Sequence, residues 1–375
     1  MAQTTKLEFV ERVCQGLGRV YQETLEHSTA IDVKTAKIII FSDHHRGLRN
    51  GADDFRKSEP AYHAALAYYF NMGHTLILLG DCEELWEERP EDVIKKNTRS
   101  FELEQKFHEA EEPRYYRILG NHDDEWHNSD RVKLIQDCYG KKPLHILDGL
   151  HIHVKDGEIP LGRFFLTHGH QGTKDSDFQL GSRKNNMAFF SKWAVRYLWR
   201  PFQRITKISV NTPAHDFEMA DRHDLAMYSW AASQKDTILI TGHTHKPVFA
   251  SQDHLARLNK DLAVIKEELC LSPQDTALRR KLSELEAKIE WVRTKEQKPT
   301  AYSPSGQKPK PCYFNSGCCS FSDGDVTGIE ISDGMIRLVR WPDDKGEPFP
   351  KILDERNLLE IFLELKVDMS RAFMK

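Results

Sequence analysis

Five short apolar runs each give way to a block of polar residues, and this pairing constrains the fold more than any other feature of the chain. The runs are Lys37-Ile-Ile-Ile-Phe41, Thr75-Leu-Ile-Leu-Leu79, Tyr115-Tyr-Arg-Ile-Leu119, Arg163-Phe-Phe-Leu-Thr167 and Thr237-Ile-Leu-Ile-Thr241. Being short, rich in β-branched or aromatic side chains and soon followed by Gly, Asp, Asn or His, they read as strands. Helical stretches from about Glu59 to Met72 and Phe101 to Ala110 separate the first three. That alternation is expected of βαβ units with parallel strands. Such folds bind ligands beyond the carboxyl ends of their strands, where every polar block lies.

The blocks hold Asp43 and His45 in Phe41-Ser-Asp-His-His45, Asp81 in Gly80-Asp81, and Asn121 in Gly120-Asn-His-Asp123. They continue with His168 in Thr167-His-Gly-His170, and His243 and His245 in Gly242-His-Thr-His245. Two Asp, one Asn and four His make a ligand inventory for two metal ions. Imidazole with carboxylate and amide oxygen, without thiolate, suits a borderline divalent ion such as Mn²⁺, Fe²⁺ or Zn²⁺. The spacing in Asp43-x-His45 and His243-x-His245 predicts an extended backbone with both side chains on one side.

In order, these blocks resemble the signature of the calcineurin-like metallophosphoesterase superfamily: Asp-x-His, Gly-Asp, Gly-Asn-His-Asp/Glu, His and Gly-His-x-His. The resemblance runs from about Ile38 to Pro247, and Cys312-Tyr-Phe-Asn-Ser316 is similar to the family strand after the last motif. It implies an α/β fold, a sandwich of two mixed β-sheets flanked by helices, and a metal-dependent phosphoric ester hydrolase. By the same resemblance Asp43, His45, Asp81 and His245 hold one ion, and Asp81, Asn121, His168 and His243 the other, with Asp81 bridging. Mn²⁺ leads, with Fe²⁺ or Zn²⁺ as alternatives. Two ions about 3.5–4 Å apart share a hydroxide and clamp the attacking and leaving oxygens of an in-line displacement at phosphorus. His122 falls where the family places a group beside the leaving oxygen, and Glu84 where it places that histidine's partner. A carboxylate there favours the charged imidazole.

His44 and His170 sit inside motifs without matching a family ligand; they read as neighbours of the ligands, and His44 also as a group reaching the phosphoryl. Arg46 reads either as a contact to substrate phosphate or as a solvated loop arginine. From Phe178 to Ala214 there is no acidic residue and seven basic ones, Arg183, Lys192 and Arg196 among them, interleaved with aromatics. Lys192, Arg196, Arg200 and Arg204 repeat every four positions, which on a helix would make one stripe. Three readings compete for this segment: a solvated helical excursion, a lid over an anionic substrate, and an interfacial helix on anionic lipid. The resemblance narrows toward the UDP-2,3-diacylglucosamine pyrophosphatase-like branch, which carries a helical insertion comparable to 178–214 and whose second motif is similar to Gly80-Asp-Cys-Glu-Glu-Leu-Trp86. That branch carries Arg where this chain has His122. The substrate expected first is therefore a phosphodiester or nucleotide-linked pyrophosphate, with a lipid-linked pyrophosphate at the membrane surface, or a nuclease activity, behind it.

Residues 252–298 read as an antiparallel helical hairpin. Leu255, Leu258, Leu262, Ile265 and Leu269 face Leu278, Leu282, Leu285, Ile289 and Val292, with Ser272 as N-cap and Pro273 in the first turn of the second arm. The hairpin is expected to pack on its own seam, with a homodimer contact or a partner-docking arm as the alternatives. The remaining expectations are an N-terminal helix within 1–35 weakened by Gly16 and Gly18, a core over 36–251, a return to the core sheet over 299–345, and a C-terminal helix within 346–375. A net charge of -4 argues against generic nucleic-acid coating. No apolar stretch approaches the roughly 20 residues that span a bilayer. Met1 to Cys14 lacks the apolar core of a signal peptide, and seven Cys without regular spacing fit a reducing compartment. The expected location is cytoplasmic, with peripheral membrane contact as the variant.

Overall fold

The computed structural model describes residues 2–50, 53–112, 114–173, 217–295, 310–343 and 345–372. In chain order the first half forms α1 (Ala2–Glu23), β1 (Ser28–Asp32), β2 (Lys37–Phe41), α2 (Phe55–Asn71), β3 (Thr75–Leu79), α3 (Pro90–Lys96), α4 (Thr98–His108), β4 (Tyr115–Ile118), α5 (Ser129–Tyr139), β5 (Ile146–Leu147), β6 (Leu150–Asp156) and β7 (Ile159–Leu166). The second half adds α6 (Phe217–Ser233), β8 (Thr237–Thr241), β9 (Val248–Phe249), β10 (Gln252–Asp253), α7 (His254–Leu271), α8 (Thr276–Lys295), β11 (Tyr313–Asn315), β12 (Val326–Ser332), β13 (Met335–Trp341), β14 (Lys351–Asn357) and α9 (Leu358–Ala372). The basic-aromatic segment 178–214, with Arg183, Lys192 and Arg196, lies outside the described residues.

Two seven-stranded mixed sheets form, in the orders β1-β6-β7-β8-β11-β9-β10 and β14-β13-β12-β2-β3-β4-β5. The alternation of side chains along β2 and β3 explains why these runs are apolar throughout. Ile38, Ile40, Ile77 and Leu79 join a core shared with Phe164, Leu166, Ile238 and Ile240 of the other sheet. Ile39, Phe41, Leu76 and Leu78 face the opposite way, into a core built with Tyr62 and Tyr69 of α2 and Phe101 and Phe107 of α4. Both faces of the sheet are covered, and each such side chain contributes about 1.5–3 kcal/mol by leaving water.

Parallel register does the rest. Phe41 pairs with Leu78 and Leu79 with Ile118, so the loops carrying Asp43, Asp81 and Asn121 emerge side by side. In the second sheet Leu166 pairs with Ile240, which aligns the loops of His168 and His243.

Several boundaries differ from expectation for local reasons. Helix α2 starts at Phe55 rather than Glu59, because the Asp53 carboxylate accepts from the Arg56 N–H at 3.2 Å and supports a turn before Pro60. The second hairpin arm starts at Thr276, capped by Asp275 and not by Ser272: its Oδ1 accepts from Ala277 N at 2.8 Å and Leu278 N at 3.1 Å. Leu258 and Ile289 are buried between the arms, with Leu262 and Leu285 packed on them. Strands β1 and β14 have no counterpart in the sequence reading, since their mixed residues offer no apolar run. Among the described residues no helix is long and apolar enough to cross a membrane.

The glycines of α1 do opposite things. A Cβ on Gly16 would lie 2.5 Å from the backbone N of Gly172, in the loop that follows His168. A Cβ on Gly18 would lie an ordinary 3.7 Å from Trp230 Nε1. Helix propensity alone favours Ala over Gly by about 1 kcal/mol at both positions. Gly18→Ala should therefore raise the melting temperature. Gly16→Ala should lower it, the overpacking costing about 1–3 kcal/mol. Thermal melts of the two variants test the contact; a rise in both would mean that α1 does not press on that loop.

Candidate metal centre

Left-handed backbone gathers at the polar blocks. Of ten described non-glycine residues with positive φ, five are expected ligands: Asp43 at 54°, His45 at 50°, Asp81 at 51°, His243 at 71° and His245 at 57°. Each such conformation costs about 1–3 kcal/mol and persists only where the surroundings impose it. This corrects the extended geometry expected for the two x-spaced pairs. The kinks aim His243 and His245 at different groups of donors.

Loop-to-loop hydrogen bonds hold these kinks. Asp43 N donates to Gly80 O at 3.1 Å and His45 N to Asp81 O at 2.9 Å, which carries the β2–β3 contact past the strand ends. Gly242 N donates to His168 O at 3.0 Å. Both oxygens of Asp43 accept from His243 N, at 3.1 and 3.0 Å, and so tie the two sheets together. Gly120 is required where it stands: a Cβ there would lie 2.0 Å from Asp81 Oδ1. Asn315 of β11 donates to Gly242 O at 2.6 Å and to Thr244 Oγ1 at 3.1 Å, bracing the last loop.

Three overlapping donor groups result, each with ligand atoms within 4.8 Å of one another: Asp43, His45 and His245; Asp81, His168 and His243; and between them His45, Asp81 and His122. Asp81 Oδ2 stands 3.1 Å from His168 Nε2 and 3.7 Å from His45 Nε2, so one carboxylate faces both sides. His45 Nε2 and His245 Nε2 converge to 3.1 Å, and Asp43 Oδ1 lies 3.2 Å from His245 Nε2.

Tautomers are set from outside the cluster. His168 Nδ1 donates to Leu79 O at 2.8 Å, and His45 Nδ1 to Glu84 Oε2 at 3.1 Å. That leaves both Nε2 atoms facing the carboxylates, as the nitrogens a cation would take. Asn121 is buried and its Oδ1 has no hydrogen-bond partner among the described residues. A buried amide oxygen without a donor is what a cation at the second group would satisfy. Burial pushes the Asp81 carboxyl up, yet His168 and His122 outweigh it and hold the group well below the usual range. Burial and the neighbouring His168 keep His243 neutral. Anionic carboxylates, a neutral imidazole and an unpartnered amide oxygen fit divalent metal binding.

A family model described as calcineurin-like phosphoesterase matches residues 36–247, more than half of the chain and all five polar blocks. The chain belongs to that family. No curated protein matches it. The protein is thus a metal-dependent phosphoric ester hydrolase with the two-sheet fold of its family.

Beside the phosphoesterase's donor groups stands His122, with 12% of its side chain exposed. Its Nδ1 donates to Glu84 Oε2 at 2.7 Å and its backbone N–H to Asp81 Oδ1 at 2.8 Å. Burial opposes the imidazolium, but the charges of Glu84 and Asp81 prevail and lift its pKa to about 10. Burial also works against the Glu84 carboxylate, which His122 nevertheless draws down to about 2.

Two expected substrate contacts are corrected. Arg46 is fully buried; its guanidinium donates to Glu104 Oε1 and Glu83 Oε1, both at 2.7 Å, and its Nε to Cys82 O at 3.1 Å. It supports the loops from beneath instead of meeting substrate. His44 is also fully buried, edge-on to Tyr62 at 4.5 Å and Phe55 at 5.6 Å, and neutral because burial and the nearby Arg46 oppose its charge. It packs against α2. His170 borders the second donor group, its ring 5.5 Å from His168 and 6.3 Å from His243.

The sequence reading missed the buried charges under the loops. Glu83 also accepts from Trp126 Nε1 at 2.9 Å and pairs with Arg117, and Asp123 accepts from Gly120 N at 2.7 Å and Cys82 N at 2.9 Å. Arg117 was the available signal: an arginine inside an apolar run demands a buried partner.

Proposed function

We propose that this phosphoesterase hydrolyses a phosphodiester or a nucleotide-linked pyrophosphate bond at a binuclear centre, with Mn²⁺ the leading ion and Fe²⁺ or Zn²⁺ its alternatives. The observation that carries the reading is the single buried Asp81 carboxylate standing between two donor groups, with the His122–Glu84 pair alongside. Asp43, His45, Asp81 and His245 would hold one ion, and Asp81, Asn121, His168 and His243 the other. When bound, two such ions activate water and draw charge from the phosphoryl oxygens. Glu84 holds Nδ1 of His122, and the remaining nitrogen, Nε2, serves the leaving group. As water's oxygen bonds to phosphorus it sheds a proton to solvent, and the bond to the leaving oxygen breaks. That oxygen keeps the electron pair and takes the Nε2 proton, leaving His122 neutral.

Elemental analysis of the purified protein, followed by assays with Mn²⁺ on bis-p-nitrophenyl phosphate and on nucleoside diphosphate esters, tests this. His122→Ala should slow turnover by about 10²–10⁴-fold on an alkyl ester while metal content is kept. Loss of both ions in that variant, or full activity on every ester, would overturn the assignment. UDP-2,3-diacylglucosamine belongs in the panel, because Gly80 to Trp86 is similar to the second motif of that branch. Exclusive turnover of the lipid would make a lipid-linked pyrophosphate the substrate.

A further inference from the structure

Trp86 follows Glu84 in the loop of the second motif and lies flat on the imidazole of His122, ring centroids 4.4 Å and planes 16° apart. Its indole N–H donates to the backbone O of Asn121 at 2.5 Å. One side chain therefore grips both the ring of His122 and the backbone of the residue before it. The hydrogen bond from Nδ1 to Glu84 fixes one point of the imidazole and leaves rotation about that line open. The indole face removes this rotation from one side, and the ring of His45, T-shaped at 4.7 Å and 82°, closes it from another. Trp86 is half-buried, so the indole borders solvent while shielding one face of the proton donor.

We propose that Trp86 is a positioning residue that orients His122 toward the leaving oxygen, and so extends the enzyme's reach from activated aryl esters to alkyl esters. The inference rests on His122 being the proton donor. In that step the phosphorus–oxygen bond breaks, its electron pair stays on the leaving oxygen, and the proton moves from His122 Nε2 to that oxygen. An alkoxide needs the proton as it departs; a nitrophenolate does not. Misaiming the imidazole therefore penalises alkyl esters selectively.

The test compares native protein, Trp86→Leu, Trp86→Phe and His122→Ala, each loaded with Mn²⁺, on bis-p-nitrophenyl phosphate and on a dialkyl phosphate diester. Metal content is measured alongside by elemental analysis. For Trp86→Leu the loss of kcat on the dialkyl ester should exceed the loss on the nitrophenyl ester by about tenfold or more, with native metal content. Trp86→Phe, which keeps a stacking ring, should restore most of that difference. Equal losses on both esters, or loss of metal from Trp86→Leu, would reduce Trp86 to a structural support and overturn the inference. If Trp86→Leu does not fold, Trp86→Met, which also removes the stacking ring, takes its place: a shift in the ester ratio of about threefold or more, in the direction of His122→Ala, supports the inference, and none overturns it. A His122→Ala variant that treats the two esters alike would instead remove the proton-donor reading beneath it.

Discussion

Asp81→Asn is expected to abolish hydrolysis, to the level left by a chelator, in a chain that still folds. Asn has the shape of Asp, and its Oδ1 can keep accepting the His122 N–H that Asp81 Oδ1 accepts at 2.8 Å. What disappears is the charge that His168 and His45 face from two sides. With the carboxylate that two donor groups share removed, both would lose an anion at once, so the effect should exceed that of a ligand belonging to one group. A second readout avoids activity altogether. A cation that binds only the folded chain stabilises it by about 2.7 kcal/mol at a hundred times its dissociation constant. Mn²⁺ should accordingly raise the melting temperature of the native protein and leave that of Asp81→Asn nearly unchanged. A variant that takes up two ions and turns over at the native rate would show that Asp81 is not shared.

Glu83→Ala should cost about 3–5 kcal/mol, the usual penalty for breaking a buried charge pair from one side. Glu83 is fully buried and bridges Arg46 and Arg117, themselves fully buried. After its removal Arg46 keeps Glu104, while Arg117 keeps its bond to the Tyr139 hydroxyl at 3.2 Å and the looser Asp123 carboxylate at 3.5 Å. Against a total stability of about 5–15 kcal/mol, that loss decides whether a large fraction of the chain folds. Urea denaturation measures it; a change below about 1 kcal/mol would mean that the cluster is replaceable. Arg46 adjoins His45, Glu83 lies two residues past Asp81, and Asp123 two past Asn121, so loosened Mn²⁺ binding should accompany the lost stability.

The five apolar runs and their polar ends were legible in the sequence because strand formation and alternation are local, and a parallel sheet brings carboxyl ends together by its geometry. Hence β2, β3 and β8 fall where Lys37–Phe41, Thr75–Leu79 and Thr237–Thr241 placed them, and the donor groups assemble at their ends. The hairpin seam was legible for the same reason, since Leu258 and Ile289 follow a helical period. The fate of Arg46 was not, because the guanidinium partner Glu104 stands 58 positions away on α4. Nor was the aim of His243 and His245, which left-handed kinks decide and which Asp43, 200 positions from His243, helps to hold. Residue type and spacing alone determined which side chains can hold metal and that the five apolar runs become strands. Only the tertiary structure decided which way each side chain turns, because partners remote in sequence set the energy of a buried charge and of a strained backbone.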